Sequence, residues 1–132
     1  MLLPHLAAVV IEAVTDHNAG VVVQVRPRGE EAVCPRCGAT SERVHSRYSR
    51  LLRDVAIAGR EVLLRVRVRR FFCDNSGCTA RTFAEQLGHL AAPRSRHTAL
   101  LRQAWSAIAL GLAGRAGARL ATRLGGHVTA AV

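Results

Sequence analysis

Four cysteines offer the most chemistry in this chain. Cys34 and Cys37 form C-x-x-C in CPRCG, and Cys73 and Cys78 form C-x-x-x-x-C in CDNSGC. Thiolates in two close pairs are a natural donor set for a tetrahedral metal ion. Two cysteines on one tight turn can aim both sulfurs at one ion while nearby backbone N–H groups point at the sulfurs. Pro35 restricts that turn and Gly38 lets the chain leave it. The second pair needs a wider loop, and Asp74, Asn75, Ser76 and Gly77 are all turn formers. The spacing predicts one structural Zn ion on Cys34, Cys37, Cys73 and Cys78. A closed four-sulfur site keeps no open coordination position, so no catalysis is expected at the metal.

Other chemistries use the same atoms. Two disulfides would need an oxidising compartment, and MLLPHLAAVVIEAV has neither the basic start nor the clear cleavage site of a secretory signal. A redox C-x-x-C wants a βαβ setting and would leave Cys73 and Cys78 without a role. Iron on four thiolates remains a chemical alternative to zinc. His45 is the nearest further ligand type; beside four thiols it reads better as a strand residue or a nucleic-acid contact.

The elements that must position these thiols are mainly strands. AAVVIEAVT (7–15) and GVVVQVRP (20–27) are rich in β-branched residues around the turn chemistry of DHNAG, which predicts a β-hairpin. A short strand is expected around Arg43–Arg47, followed by an irregular stretch to Gly59. Residues 61–72 form the clearest strand. There Val62, Leu64, Val66 and Val68 alternate with Leu63, Arg65, Arg67 and Arg69, giving one apolar and one mainly basic face. This strand delivers Cys73 to the metal, and RTFAE (81–85) offers a short closing strand. The two cysteine turns brought together by β-structure make a zinc ribbon.

Beyond Pro93 the period changes. Leu100, Leu101, Ala104, Trp105, Ile108 and Leu112 recur at helical spacing, with Ser95 or Thr98 as cap and Gly111 and Gly114 marking the end. Trp105 reads as core. A second helical run, AGARLATRLGG (116–126), stops at Gly125-Gly126, and HVTAAV opens a third. Helix, glycine turn and helix in this order suggest a helix-turn-helix. The expected class is α+β: an N-terminal hairpin and connector (1–33), a zinc ribbon (34–90) and a helix-turn-helix-like segment (91–132).

The charge balance points to a partner. The chain has 19 basic residues, all arginine, a formal net charge of +10 and a pI near 11.4. Arginine in place of lysine matches a GC-rich coding bias, so the residue type says less than the clustering. Residues 91–132 contain six arginines and no acid. Clustered positive charge is the footprint of a nucleic-acid binder. The candidate DNA contacts are Arg43, Arg47, Arg50, Arg65, Arg67, Arg69 and Arg70 around the strand, and Arg115, Arg119 and Arg123 in the helical segment. A solvated strand face without a partner is the plainer reading of the first group. If about five of these arginines meet phosphates, log affinity falls with log salt at a slope of about −4 to −5.

With these motifs in view, the sequence resembles the N-terminal part of a bacterial insertion-sequence transposase of the ISL-three family. The resemblance rests on CPRCGATSERVHSRYSR, VAIAGREVLLRVRVRRFFCDNSGCTARTFAE and GLAGRAGARLATRLGG. It implies a zinc ribbon followed by a helix-turn-helix, both binding the terminal inverted repeats of the element. It also implies that Cys34, Cys37, Cys73 and Cys78 are the ligands, with Arg67–Phe72 leading into the second turn. Such transposases hold divalent metal on three carboxylates of a downstream nuclease-like domain, which these residues do not supply. The resemblance therefore predicts a truncated, DNA-binding front without enzymatic activity.

The expected partner is double-stranded DNA, with a homo-oligomer or a full-length transposase relative as further possibilities. A zinc-ribbon protein–protein adaptor and a non-functional remnant are the alternatives. No membrane and no small-molecule substrate is expected: no apolar run reaches transmembrane length, and the expected location is the cytoplasm.

Overall fold

The structure is a computed structural model, in which residues 4–114 are described. The helical run over 116–126, the helix expected to open at 127, and Arg115, Arg119 and Arg123 lie outside the described residues. The order of elements is a 3-10 turn (Pro4–Leu6), β1 (Val9–His17), β2 (Gly20–Pro27), β3 (Ala32–Val33), β4 (Thr40–Ser41), β5 (Val44–Ile57), β6 (Arg60–Phe72), β7 (Thr82–Ala84) and α1 (Ala99–Ala113). It is a mixed α+β arrangement, mostly strands with one described helix.

Strands β1, β2, β6 and β5 lie side by side in that order, and β7 pairs with the C-terminal end of β6. β1 and β2 form the expected antiparallel hairpin. β2 then pairs with β6 in parallel, from Gly20 against Glu61 to Val25 against Val66. The approach at Gly20 is close: a Cβ there would sit 2.5 Å from the carbonyl oxygen of Glu61. The β1–β2 hairpin therefore forms one flank of the sheet that leads into the second cysteine pair.

The irregular stretch expected up to Gly59 is instead strand. β5 continues to Ile57 and runs against β6 for nearly its whole length. The positions on its core side are Tyr48, Arg50, Leu52 and Asp54, of which only Leu52 and Asp54 are buried, so it lacks the apolar alternation that marks a strand in sequence. The ladder to β6 supplies the order that the pattern conceals. A tight turn closes this hairpin, with Ala58 at φ 51° and Gly59 at φ 75°. Two consecutive positive φ values describe a type I′ turn, which suits the right-handed twist of the strands.

The expected alternation in β6 holds. Val62, Leu64, Val66 and Val68 are buried, together with Val23 and Val25 of β2, Val9 of β1 and Leu52 of β5. Leu6, Leu87, Leu90 and Ala91 cover them. Phe71 is out of phase with this row and belongs to a second cluster with Cys34 and Phe83, packed by Ala32, Val44, Cys73, Cys78 and Ala80.

α1 begins at Ala99. Thr98 is the cap, its hydroxyl accepting from the Leu101 N–H at 3.2 Å. The same hydroxyl donates to Asp54 Oδ1 at 2.7 Å, and Asp54 Oδ2 meets His5 Nε2 at 2.6 Å. One buried carboxylate thus ties the N-terminal turn, β5 and the start of α1 together. Along α1, Leu101 and Ala109 are buried, Ala104 and Trp105 half-buried, and Leu100, Ile108 and Leu112 exposed. Among the described residues, no helix is long and apolar enough to cross a membrane.

Candidate metal centre

The first cysteine turn is built on the small β3–β4 ladder, in which Ala32 pairs with Ser41 and Val33 with Thr40. Cys34 N–H donates to Ala39 O at 2.9 Å, and Gly38 N–H donates to Cys34 O at 2.8 Å. Gly38 sits at φ 77°, where a side chain would be strained, so the turn reverses on a glycine. In the second turn, Cys73 N–H donates to Arg81 O at 2.9 Å and Cys78 N–H to Asn75 O at 3.0 Å. The Asn75 side chain accepts from the Gly77 N–H at 3.0 Å, which fixes the wide loop. Arg36 of the first turn donates to the Thr79 hydroxyl beside the second at 2.8 Å. Beneath both turns, the rings of Phe71 and Phe83 stack with centroids 5.8 Å apart.

These elements bring the four sulfurs within 4.8 Å of one another. Cys34 Sγ is 4.0 Å from Cys78 Sγ, and Cys37 Sγ is 3.6 Å from Cys73 Sγ. A tetrahedral zinc with Zn–S bonds of about 2.3 Å requires sulfurs about 3.8 Å apart. The spacing is that of a ligand shell and not of two disulfides, and all four thiols are free. The donor set fits one structural zinc ion. His45 does not belong to it; its Nδ1 lies 2.9 Å from Ser46 Oγ and its ring meets the Phe72 edge.

The electrostatics also call for a cation. A backbone hydrogen bond at Ala39 draws the Cys37 thiol down to about 6, against the effect of burial and with help from Asn75, Cys73 and Cys34. At Cys73 a backbone hydrogen bond at Asn75 also favours the thiolate. Burial and the neighbouring sulfurs of Cys37, Cys34 and Cys78 overcome it and push Cys73 up to about 12. Cys78 is raised as well: its backbone hydrogen bond at Ala80 is outweighed by burial and by the sulfurs of Cys37 and Cys34. One thiolate forms readily and resists the next, so gathering more negative charge needs a metal.

The arginines around this centre divide into two groups. Arg69 is half-buried: Nε donates to Glu85 Oε1 at 2.9 Å, Nη2 to Oε2 at 2.8 Å and Nη1 to Gly29 O at 3.0 Å. Arg67 meets Glu12 at 3.2 Å, and Arg26 meets the same carboxylate at 3.8 Å. Arg43 pairs with Asp74 at 2.6 Å and lies over the Phe72 ring. The expected basic face of β6 is thus partly neutralised by its own neighbours. Arg47, Arg65, Arg50 and Arg70 have no carboxylate partner among the described residues. Arg50 donates to Ala92 O and Ser95 O, both at 2.7 Å, and Arg70 to the Thr82 hydroxyl at 2.9 Å.

Glu85 was missed as a structural partner in the sequence. Its signal was present, because it is the last acid in the chain and stands amid arginines. Phe71 and Phe83 were likewise visible as aromatic neighbours of the second turn, but their stacking depends on the β6–β7 pairing.

Comparison with known families agrees with this geometry. Residues 30–78 match the family model of the zinc-finger of transposase IS204/IS1001/IS1096/IS1165. No curated protein and no solved structure matches the chain. Residues 30–78 are accordingly a zinc-ribbon region of the ISL3 transposase family, and its cysteines are arranged to hold one structural zinc ion.

Proposed function

We propose that the chain is a zinc-dependent DNA-binding module of transposase type, acting on the ends of a mobile element, with no catalytic step of its own. The observation that carries this reading is the transposase zinc-finger match coinciding with a four-thiolate shell on a chain of net charge +10. The metal's part is structural. Four sulfurs fill its coordination sphere, so it holds the two turns together without activating water. The ordered turns then present arginines at fixed spacing, which suits contact with phosphate oxygens.

Double-stranded DNA is the partner that this charge favours. The test is a salt series of duplex binding by the zinc-loaded chain. A slope of log affinity on log salt of about −4 to −5 is expected for about five phosphate contacts. Binding that does not respond to salt would remove the arginines from the account. Binding that duplex DNA fails to compete away from a captured protein partner would favour a zinc-ribbon adaptor instead.

A further inference from the structure

A concavity not yet assigned lies on the inner side of the β5–β6 hairpin. It is a cleft of about 500 Å3 between the strands and the segment 84–96. Its lining includes Tyr48, Arg50, Arg70, Gln86, Arg94 and Arg96. None of these four arginines has a carboxylate partner among the described residues. The one acid in the lining, Glu85, has both carboxylate oxygens engaged by Arg69. The groove on the outer face of β6 is different: Glu12 lies between Arg67 and Arg26, and Arg47 beside them has no carboxylate partner among the described residues. The inner cleft thus gathers four arginines with no carboxylate partner among the described residues, against one, Arg47, in the outer groove.

The cleft wall is also fixed. Arg50 clamps the carbonyls of Ala92 and Ser95, and Arg53 N–H donates to Arg96 O at 2.8 Å. Arg94 adopts φ 63°, an unusual conformation for a residue with a side chain, beside the cleft. Arg70 uses only Nε internally, on Thr82, so both its terminal nitrogens are free to donate. Tyr48 is 43% exposed on a strand, a rigid aromatic surface next to these cations. A space of this size accepts a small molecule or a single-strand segment of one or two nucleotides; it is too small for a duplex.

We propose that this cleft binds an unpaired segment of single-stranded DNA, with phosphates on Arg70, Arg94 and Arg96 and a base stacked on Tyr48. Arginine and aromatic side chains together are the usual platform for single strands, because every base has a π-face and every nucleotide a phosphate. The proposal rests on the DNA-binding reading and adds to it a second mode, separate from duplex contact.

The test uses the full zinc-loaded chain, a short fluorescein-labelled oligo-dT and a blunt duplex, followed by anisotropy. R94Q/R96Q is expected to weaken oligo-dT binding about tenfold or more and to flatten its salt slope by about 1.4. Y48L should weaken it about fivefold or more without changing the slope. R47Q/R65Q removes equal charge from the outer face and should change oligo-dT affinity far less. Equal losses from both double variants, or no loss from R94Q/R96Q and Y48L in chains that still bind one zinc, would overturn the cleft. Duplex binding would then survive as a separate finding. Wild-type protein that binds neither probe removes both readings; binding of oligo-dT alone through the cleft removes only the duplex reading.

Discussion

Arg69 and Glu85 are joined through backbone and side chain at once. Glu85 Oε1 accepts from both the backbone N–H and the Nε of Arg69, Oε2 accepts from Nη2, and Glu85 N–H donates to Arg69 O. A strand arginine that alternation assigns to the solvent is thereby turned into a structural clamp. Its guanidinium is held in its charged form chiefly by the Glu85 hydrogen bonds. Replacing Glu85 with Gln, or Arg69 with Gln, should cost about 2–3 kcal/mol because the charge that remains, partly buried on Arg69 or buried on Glu85, loses its partner. Urea unfolding of the zinc-loaded chain measures it. The double variant should lose less than the sum of the two.

Zinc removal should act locally. The metal cluster around Cys34, Phe71 and Phe83 is distinct from the sheet core around Leu52, Leu64 and Val66. Chelation is expected to remove hydrogen-exchange protection from the amides of Cys34, Gly38, Cys73 and Cys78 first. The amides of Leu64 and Val66 should remain protected, as central strands draw on the full stability of the domain. Simultaneous loss at all six would show that the sheet depends on the metal as well.

Metal binding should release protons. Cys37 is lowered to about 6, whereas Cys73 is pushed up to about 12 and Cys78 is raised. At pH 7 the metal must therefore displace protons from Cys73 and Cys78. Zinc affinity should rise with pH through neutrality and fall steeply as pH drops past 6. Titrating zinc into weakly buffered protein with an indicator dye reports the protons directly. An unchanged indicator would contradict the thiol assignment.

Thr98 joins two jobs, capping α1 and donating to the buried Asp54. Thr98→Val keeps the shape and loses both hydrogen bonds. A loss of about 2 kcal/mol is expected. Trp105, the single tryptophan, packs its ring 4.6 Å from His97 next to the cap. Its fluorescence should shift red as the start of α1 loosens from β5. An unshifted spectrum with unchanged stability would remove the Asp54 network from the account.

The hairpin turn at Ala58-Gly59 gives a prediction of the opposite sign. Ala58 holds φ 51°, where Asn is better tolerated than Ala. Ala58→Asn should stabilise the β5–β6 hairpin by about 0.5–1 kcal/mol. Thermal unfolding checks it, and a lower midpoint would mean that the turn is not type I′.

Much of the site was legible because its information is local. Each cysteine pair sits in its own turn, with Gly38 and the 74–77 loop formers beside it, and the alternation of β6 states which face is core. What sequence concealed is non-local. β5 has Arg50 and Asp54 on its core side, and only their partners at Ala92, Ser95, Thr98 and His5 hold them there. The parallel pairing of β2 with β6 joins segments some forty residues apart, and no spacing rule announces it. Arginine roles were hidden for the same reason: Arg65, Arg67 and Arg69 share one face, yet Glu12 and Glu85 take the latter two.

The most direct measurement is duplex binding by the same sample before chelation, after chelation and after zinc is restored. The account predicts salt-sensitive binding with one zinc per chain, its loss with the metal, and its return on adding one equivalent of zinc. Duplex affinity unchanged by complete removal of zinc would contradict it.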